Sequence, residues 1–187
     1  MVSYSVSQWI SVVSSDLYGF TDEQAEFFRR LKHLVEDTYE LNDGKPVLLF
    51  GHSMGGNFAY LFLRQQEYWW KRKYIRGVIF AATPWGGNFK FMYDYIYDDD
   101  FAADLVPIFR EAERSFSSLT FLLPNRRIWS DQPFIVTPTV NYSALNMAEF
   151  FETLNRPEAF QMWLDTRDIL DPLIHPQVSN TAHLLPP

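Results

Sequence analysis

The residues most able to do chemistry lie in "VLLFGHSMGGN", positions 47–57. "GHSMG" (51–55) fits the pattern G-x-S-x-G, with an apolar run before it and a helix-like segment after it. A sharp strand-to-helix turn strains the serine backbone and lifts its hydroxyl clear of the sheet, where it can attack a carbonyl carbon. Ser53 is therefore the candidate nucleophile. The Met54 N–H, at the start of the helix, is the candidate oxyanion donor. Gly51 and Gly55 are expected where neighbouring backbone comes too close for a Cβ, and Gly56 where helix and strand pack. The competing reading is a glycine-rich turn with an incidental serine.

A serine nucleophile needs a base, and the base needs an orienting carboxylate. In this arrangement the chain order is serine, then acid, then histidine. His33 precedes the serine beside Lys32, as a surface residue would, and His52 is expected to leave the turn as a packing or support residue. His175 and His183 follow the serine, as do Asp165, Asp168 and Asp171. Acid and base normally stand at the ends of two separate strands, but only a short stretch with Pro172 separates Asp171 from His175. No strand-like run separates Asp168 from His183. At roughly 30 residues per strand–helix unit, an eight-stranded sheet needs about 240 residues, and the chain has 187. The acid and base are expected to lie outside it. A compact esterase using Asp168 and His183 is the rival enzymatic reading. No metal-ligand spacing such as H-E-x-x-H is present, and the serine chemistry needs no metal or cofactor.

The elements that would position the serine are legible. "FTDEQAEFFRRLKHLVEDTYELNDG" has Thr21 and Gln24 at capping-box spacing and Phe27, Phe28, Leu31, Leu34, Val35 and Tyr39 at helical spacing. Asn42, Asp43 and Gly44 end that helix. "PVLLF" (46–50) and "YIRGVIFAA" (74–82) read as strands buried on both faces of a parallel sheet, with one helix over "NFAYLFLRQQEYWW" between them. "TPWGG" (83–87) is a turn, 88–130 a cap-like insertion over the sheet edge, and "PFIVTPTVNYS" (133–143) one more strand or extended segment. The tail, 172–187, is Pro-rich and irregular. The class is α/β, a single domain with a mostly parallel sheet flanked by helices.

Composition narrows the partners. Hydrophobic residues make up 47%, aromatics 18%, and the formal net charge is −7, which disfavours nucleic acid. The basic clusters "KRK" (71–73) and "RR" (126–127) read as solvated faces. There is no cysteine, so disulfides, thiolate metal sites and cysteine nucleophiles are excluded from this chain. The N-terminus is a poor signal peptide, and no apolar run reaches the length of a membrane span.

"GHSMGG", "TPWGG" and "LLPNRRIWS…FIVTPTVNYS" together resemble the lecithin:cholesterol acyltransferase family, which includes lysosomal phospholipase A2. The likeness runs from about Phe27 to about Asp168. It implies an α/β-hydrolase fold with a cap and a membrane-binding region, and a secreted or lysosomal location. It implies acyl transfer from a glycerophospholipid to water or to an alcohol such as a sterol, at a membrane or lipoprotein surface and without a cofactor. Ser53 takes the nucleophile's place, Met54 supplies one oxyanion donor, and 88–130 belongs to the cap shaping the acyl groove. The family's catalytic aspartate and histidine lie beyond the point where this chain stops, so the chain reads as a truncated member with an incomplete hydrolase fold. "DLYGF" (16–20) looks like the remnant of a longer family motif. The sequon Asn141-Tyr142-Ser143 fits a glycoprotein. The alternative is an inactive fragment that binds lipid surfaces or a partner through "FKFMYDYIYDDDF" (89–101).

Overall fold

The structure, a computed structural model, describes residues 20–96 and 117–170. Helix α1 (Phe20–Leu41) carries the expected apolar stripe. Phe28 and Val35 are buried and Phe27 and Leu31 pack beside them. Gly44, at φ 70°, ends the helix by donating its N–H to Tyr39 O at 3.0 Å. A left-handed residue at this point frees the chain from the helical path, which is why glycine serves. The helix begins at Phe20, one residue before Thr21, whose side chain lies outside those described, and Gln24 Nε2 is buried without a hydrogen-bond partner.

Strand β1 (Val47–His52), helix α2 (Met54–Gln65), helix α3 (Tyr68–Tyr74) and strand β2 (Ile75–Ala81) follow. The two strands pair in parallel, Val47 with Ile75 at one end and His52 with Ala81 at the other. The single helix expected over 57–70 is two. Gln66 is extended, at ψ 141°, and its N–H donates to Leu63 O. The break lets Trp70 turn into the core, where its indole N–H donates to Glu36 at 2.7 Å and its ring meets Phe62 edge-on. Lys71 is buried there too. Its ammonium caps α2 through Leu63 O at 3.3 Å, and burial pushes its pKa down.

Among the described residues, the strands are covered on one face only. Val47, Leu49, Val78 and Phe80 pack into the core with α1 and α2. Leu48, Phe50 and Ile79, on the opposite face, are 55%, 65% and 45% exposed. The expectation of strands buried on both faces is thus corrected. A continuous apolar run says that both faces want cover, and the described residues supply one layer of helix.

The second half has a core of its own around Met92, Tyr142, Met147, Phe150 and Phe151. It is built by α4 (Lys90–Ile96), α5 (Ser117–Phe121), α6 (Arg126–Trp129), β3 (Ile135–Val136), β4 (Asn141–Tyr142), α7 (Met147–Thr153) and α8 (Pro157–Thr166). The segment 133–143 is an antiparallel hairpin of its own rather than an added strand of the parallel sheet. The Thr137 hydroxyl closes its turn, accepting from the Val140 N–H and donating to the Val140 carbonyl. Within "FKFMYDYIYDDDF", Met92 and Tyr95 are buried in this core, while Phe89 stays exposed. Residues 97–101 of that stretch, the rest of the cap-like insertion up to 116, and the tail lie outside the described residues.

Candidate functional site

Ser53 stands alone between the last residue of β1 and the first of α2. Its φ of 53° and ψ of −132° lie in a region that side-chain-bearing residues rarely occupy. Such a conformation costs of order 1–3 kcal/mol and persists only where surrounding contacts enforce it. Here the Ser53 N–H donates to Ala81 O at 2.9 Å, the end of the neighbouring strand, and Ser53 O accepts from Gly56 N–H at 3.0 Å. The side chain is exposed. Met54 opens a twelve-residue helix whose first turn contains no acidic residue. The first backbone N–H groups of a helix have no acceptor within it, and they carry the positive end of its dipole. An anion forming at the Ser53 side chain therefore meets unneutralised donors.

The close approach that requires glycine falls on Gly51 and Gly56, as expected, but not on Gly55. A Cβ on Gly51 would stand 2.7 Å from Gly56 Cα and 2.8 Å from Gly55 O. One on Gly56 would stand 1.8 Å from Thr83 Oγ1. Gly55 faces open space, so the steric reason offered for it does not hold.

Behind the turn, Asn57 is fully buried, and its Nδ2 donates to Pro84 O at 3.4 Å. Asn57 Oδ1 and Thr83 Oγ1 are buried without a partner. The first turn of α2 is thereby pinned to the turn 83–88 that leaves β2. That turn is held from its other side. Gly86 O accepts from Asn125 N at 2.9 Å and from the Trp129 indole N–H at 2.8 Å, and Asn88 N–H donates to Leu122 O at 2.7 Å. Phe89 stacks on Phe134 at 5.9 Å, while Tyr93 Oη donates to Phe134 O at 2.8 Å. The three separated motifs "TPWGG", "LLPNRRIW" and "FIVTPTVNY" are one interlocked unit beside the serine turn. The Asn57 link and the Trp129 clamp escaped sequence reasoning, and the only signal for them was the joint presence of these motifs.

None of the candidate bases serves Ser53 among the described residues. His33 is exposed on α1, its Nδ1 3.8 Å from Glu36 Oε2. His52 is exposed, not a packing residue, and neither histidine hydrogen-bonds to Ser53. Asp165 accepts from Gln161 Nε2 at 3.0 Å, and Asp168 lies 3.3 Å from Arg126 Nη2 and 3.4 Å from Arg167 Nε. Asp171, His175 and His183 lie outside the described residues. Asn141 is exposed on β4, with Ser143 of its sequon buried. No described helix is long and apolar enough to cross a membrane.

Residues 10–180 match the family described as lecithin:cholesterol acyltransferase. The chain is 39% identical, over 68% of its length, to lecithin-cholesterol acyltransferase-like 1 of Arabidopsis thaliana, covering 30% of that protein. It is 35% identical over 83% of its length to human phosphatidylcholine-sterol acyltransferase, covering 36% of it. It is 33% identical over 84% to human lysosomal phospholipase A and acyltransferase, covering 39%. The chain spans about a third of the length of the curated relatives it matches. With the parallel strand–turn–helix unit described above, these matches show that the chain belongs to the lecithin:cholesterol acyltransferase family and carries part of its α/β-hydrolase fold.

Proposed function

We propose that the chain furnishes the nucleophile-bearing part of a serine-dependent lipid acyltransferase or phospholipase acting on glycerophospholipid esters. One observation carries the reading: an exposed serine held at φ 53° between a parallel strand and the free N-terminus of a helix. The Ser53 hydroxyl attacks the ester carbonyl, and its proton passes to a base. The resulting oxyanion accepts hydrogen bonds from the Met54 N–H and leans on the α2 dipole. The tetrahedral intermediate collapses with loss of the lysolipid alkoxide, which is protonated, leaving an acyl-Ser53 ester. Water, or an alcohol such as a sterol, then takes the acyl group. The base and its carboxylate are not among the described residues, and without them the rate falls by several orders of magnitude. Gly51 and Gly55 frame the elbow, and 88–130 acts as the cap over the acyl groove. The working surface is a membrane or lipoprotein, and Asn141 takes a glycan in a secretory or lysosomal compartment.

The test is an active-site-directed fluorophosphonate. An adduct mapped to Ser53 in the 187-residue chain, and lost in Ser53→Ala, is the expected result. Labelling equal in the wild type and in Ser53→Ala would instead leave the inactive-fragment reading. That reading has one observation in its favour, the uncovered sheet face at Leu48, Phe50 and Ile79, which is a surface for a partner.

A further inference from the structure

One group of side chains is left unused by the serine chemistry. Asp168, just beyond α8, stands between two guanidinium groups: Arg126 Nη2 is 3.3 Å from its Oδ1, and Arg167 Nε is 3.4 Å from its Oδ2. One carboxylate between two arginines leaves a net positive charge. Arg167 Nε is buried and, for all its nearness to Oδ2, makes no hydrogen bond. Each guanidinium carries five N–H donors, so both keep donors that Asp168 does not use. The three side chains are between 34% and 51% exposed. Ion pairs as wet as this contribute little to stability, so the pair of arginines has donors and charge to offer a ligand.

The group borders a depression whose remaining wall is largely apolar, with Trp85, Trp163 and Leu170 among its lining. The Arg167 guanidinium lies 4.9 Å over the Trp163 ring, which fixes where its donors point. Two forked cations beside indole rings suit a molecule that joins an anionic oxygen cluster to a less polar body. Phosphate matches the fork geometry of arginine best. The depression is also tied to the serine turn. Trp85 belongs to the turn pinned by Asn57 and packs edge-on against Tyr60 at 5.8 Å. Tyr60 follows Ser53 by seven residues, on the order of 10 Å along α2.

We propose that Arg126 and Arg167, bridged by Asp168 and walled by Trp85 and Trp163, bind the phosphodiester of a glycerophospholipid head group. The assignment of that substrate class rests on the acyl-transfer reading, whereas the phosphate site itself is testable without catalysis. Glycerophosphocholine, a soluble phosphodiester, is titrated into the 187-residue chain, with tryptophan fluorescence and calorimetry as readouts. Saturable binding is expected, weakened at least tenfold in Arg126→Gln and in Arg167→Gln but unchanged in Arg72→Gln. Arg126→Lys, which keeps the charge and the tie to Asp168, controls for loss of fold and should retain part of the affinity. Inorganic phosphate and glycerol are run alongside. Tighter binding of inorganic phosphate than of the diester would overturn the head-group assignment in favour of free phosphate. No saturable binding of either, or binding unchanged in both glutamine variants, would overturn the site. Fluorophosphonate labelling of Ser53 on the same samples reports the serine separately, so failure of one reading leaves the other measurable.

Discussion

At the scale of single residues, the serine turn depends on which glycines are needed and which are merely present. Gly51 lies where an added Cβ would meet backbone at 2.7 and 2.8 Å, atoms that cannot swing aside as a side-chain tip can. Gly51→Ala should therefore cost about 1–3 kcal/mol, the usual range for overpacking, and reduce any labelling of Ser53. Gly55, in the first turn of α2, has nothing within 4 Å of its would-be Cβ and no positive φ. Gly55→Ala should gain about 0.4–1 kcal/mol by reducing the freedom of the unfolded chain. Urea denaturation of the two variants checks the pair. A loss of stability at Gly55 as large as that at Gly51 would show that the described turn is wrong. The sequence pattern G-x-S-x-G treats its two glycines alike. It locates the serine but cannot say which glycine faces backbone, because that is decided by Gly56 and Thr83 packing from behind.

At the scale of elements, the turn 83–88 is held by what arrives some forty residues later. Gly86 O takes two donors, Asn125 N and Trp129 Nε1, so losing one leaves it satisfied by the other. Trp129→Phe keeps an aromatic ring against Phe134 while removing the N–H and part of the indole, and should cost about 1–2 kcal/mol. Gly87 is the harder constraint. Its φ is 77°, and a Cβ there would stand 2.1 Å from Leu123 O. Gly87→Ala should cost about 2–4 kcal/mol by combining left-handed strain with overpacking. Thermal melts that rank the two variants the other way would mean that the indole bond, not the backbone contact, fixes the turn. The helix α1, both parallel strands and the start of α2 were legible from apolar periodicity and glycine punctuation. The break at Gln66 was not. No glycine or proline marks it, and it arises because Trp70 reaches Glu36 and Phe62, a tertiary demand invisible to a local pattern. The hairpin 135–142 was half legible. The extended runs were visible, but Thr137 turning the chain back on itself depends on its hydroxyl rather than on a glycine.

At the scale of the molecule, one helical layer and one bare sheet face sit side by side on the same two strands. Alternation along β1 puts Leu49 toward α1 and α2 and Leu48 and Phe50 toward solvent. Phe50 lies opposite Ile79 in the parallel register, so the exposed side chains adjoin across the pair. The run "VLLF" could not reveal this, since a strand covered on one face and a strand covered on both are equally apolar when the bare face awaits a partner. Neighbouring substitutions separate the two cases. Leu49→Ala empties a packed position and should cost at least about 2 kcal/mol. Phe50→Thr touches an exposed side chain and should change folding stability by no more than about 0.5 kcal/mol. It should also lower self-association, because an exposed apolar patch on a sheet of two described strands invites further contact. Thermal melts give the first comparison and light scattering against concentration gives the second. A fall of 2 kcal/mol or more for Phe50→Thr would mean that this face is covered in solution, and a melting temperature that rises with protein concentration would identify the cover as another copy of the chain.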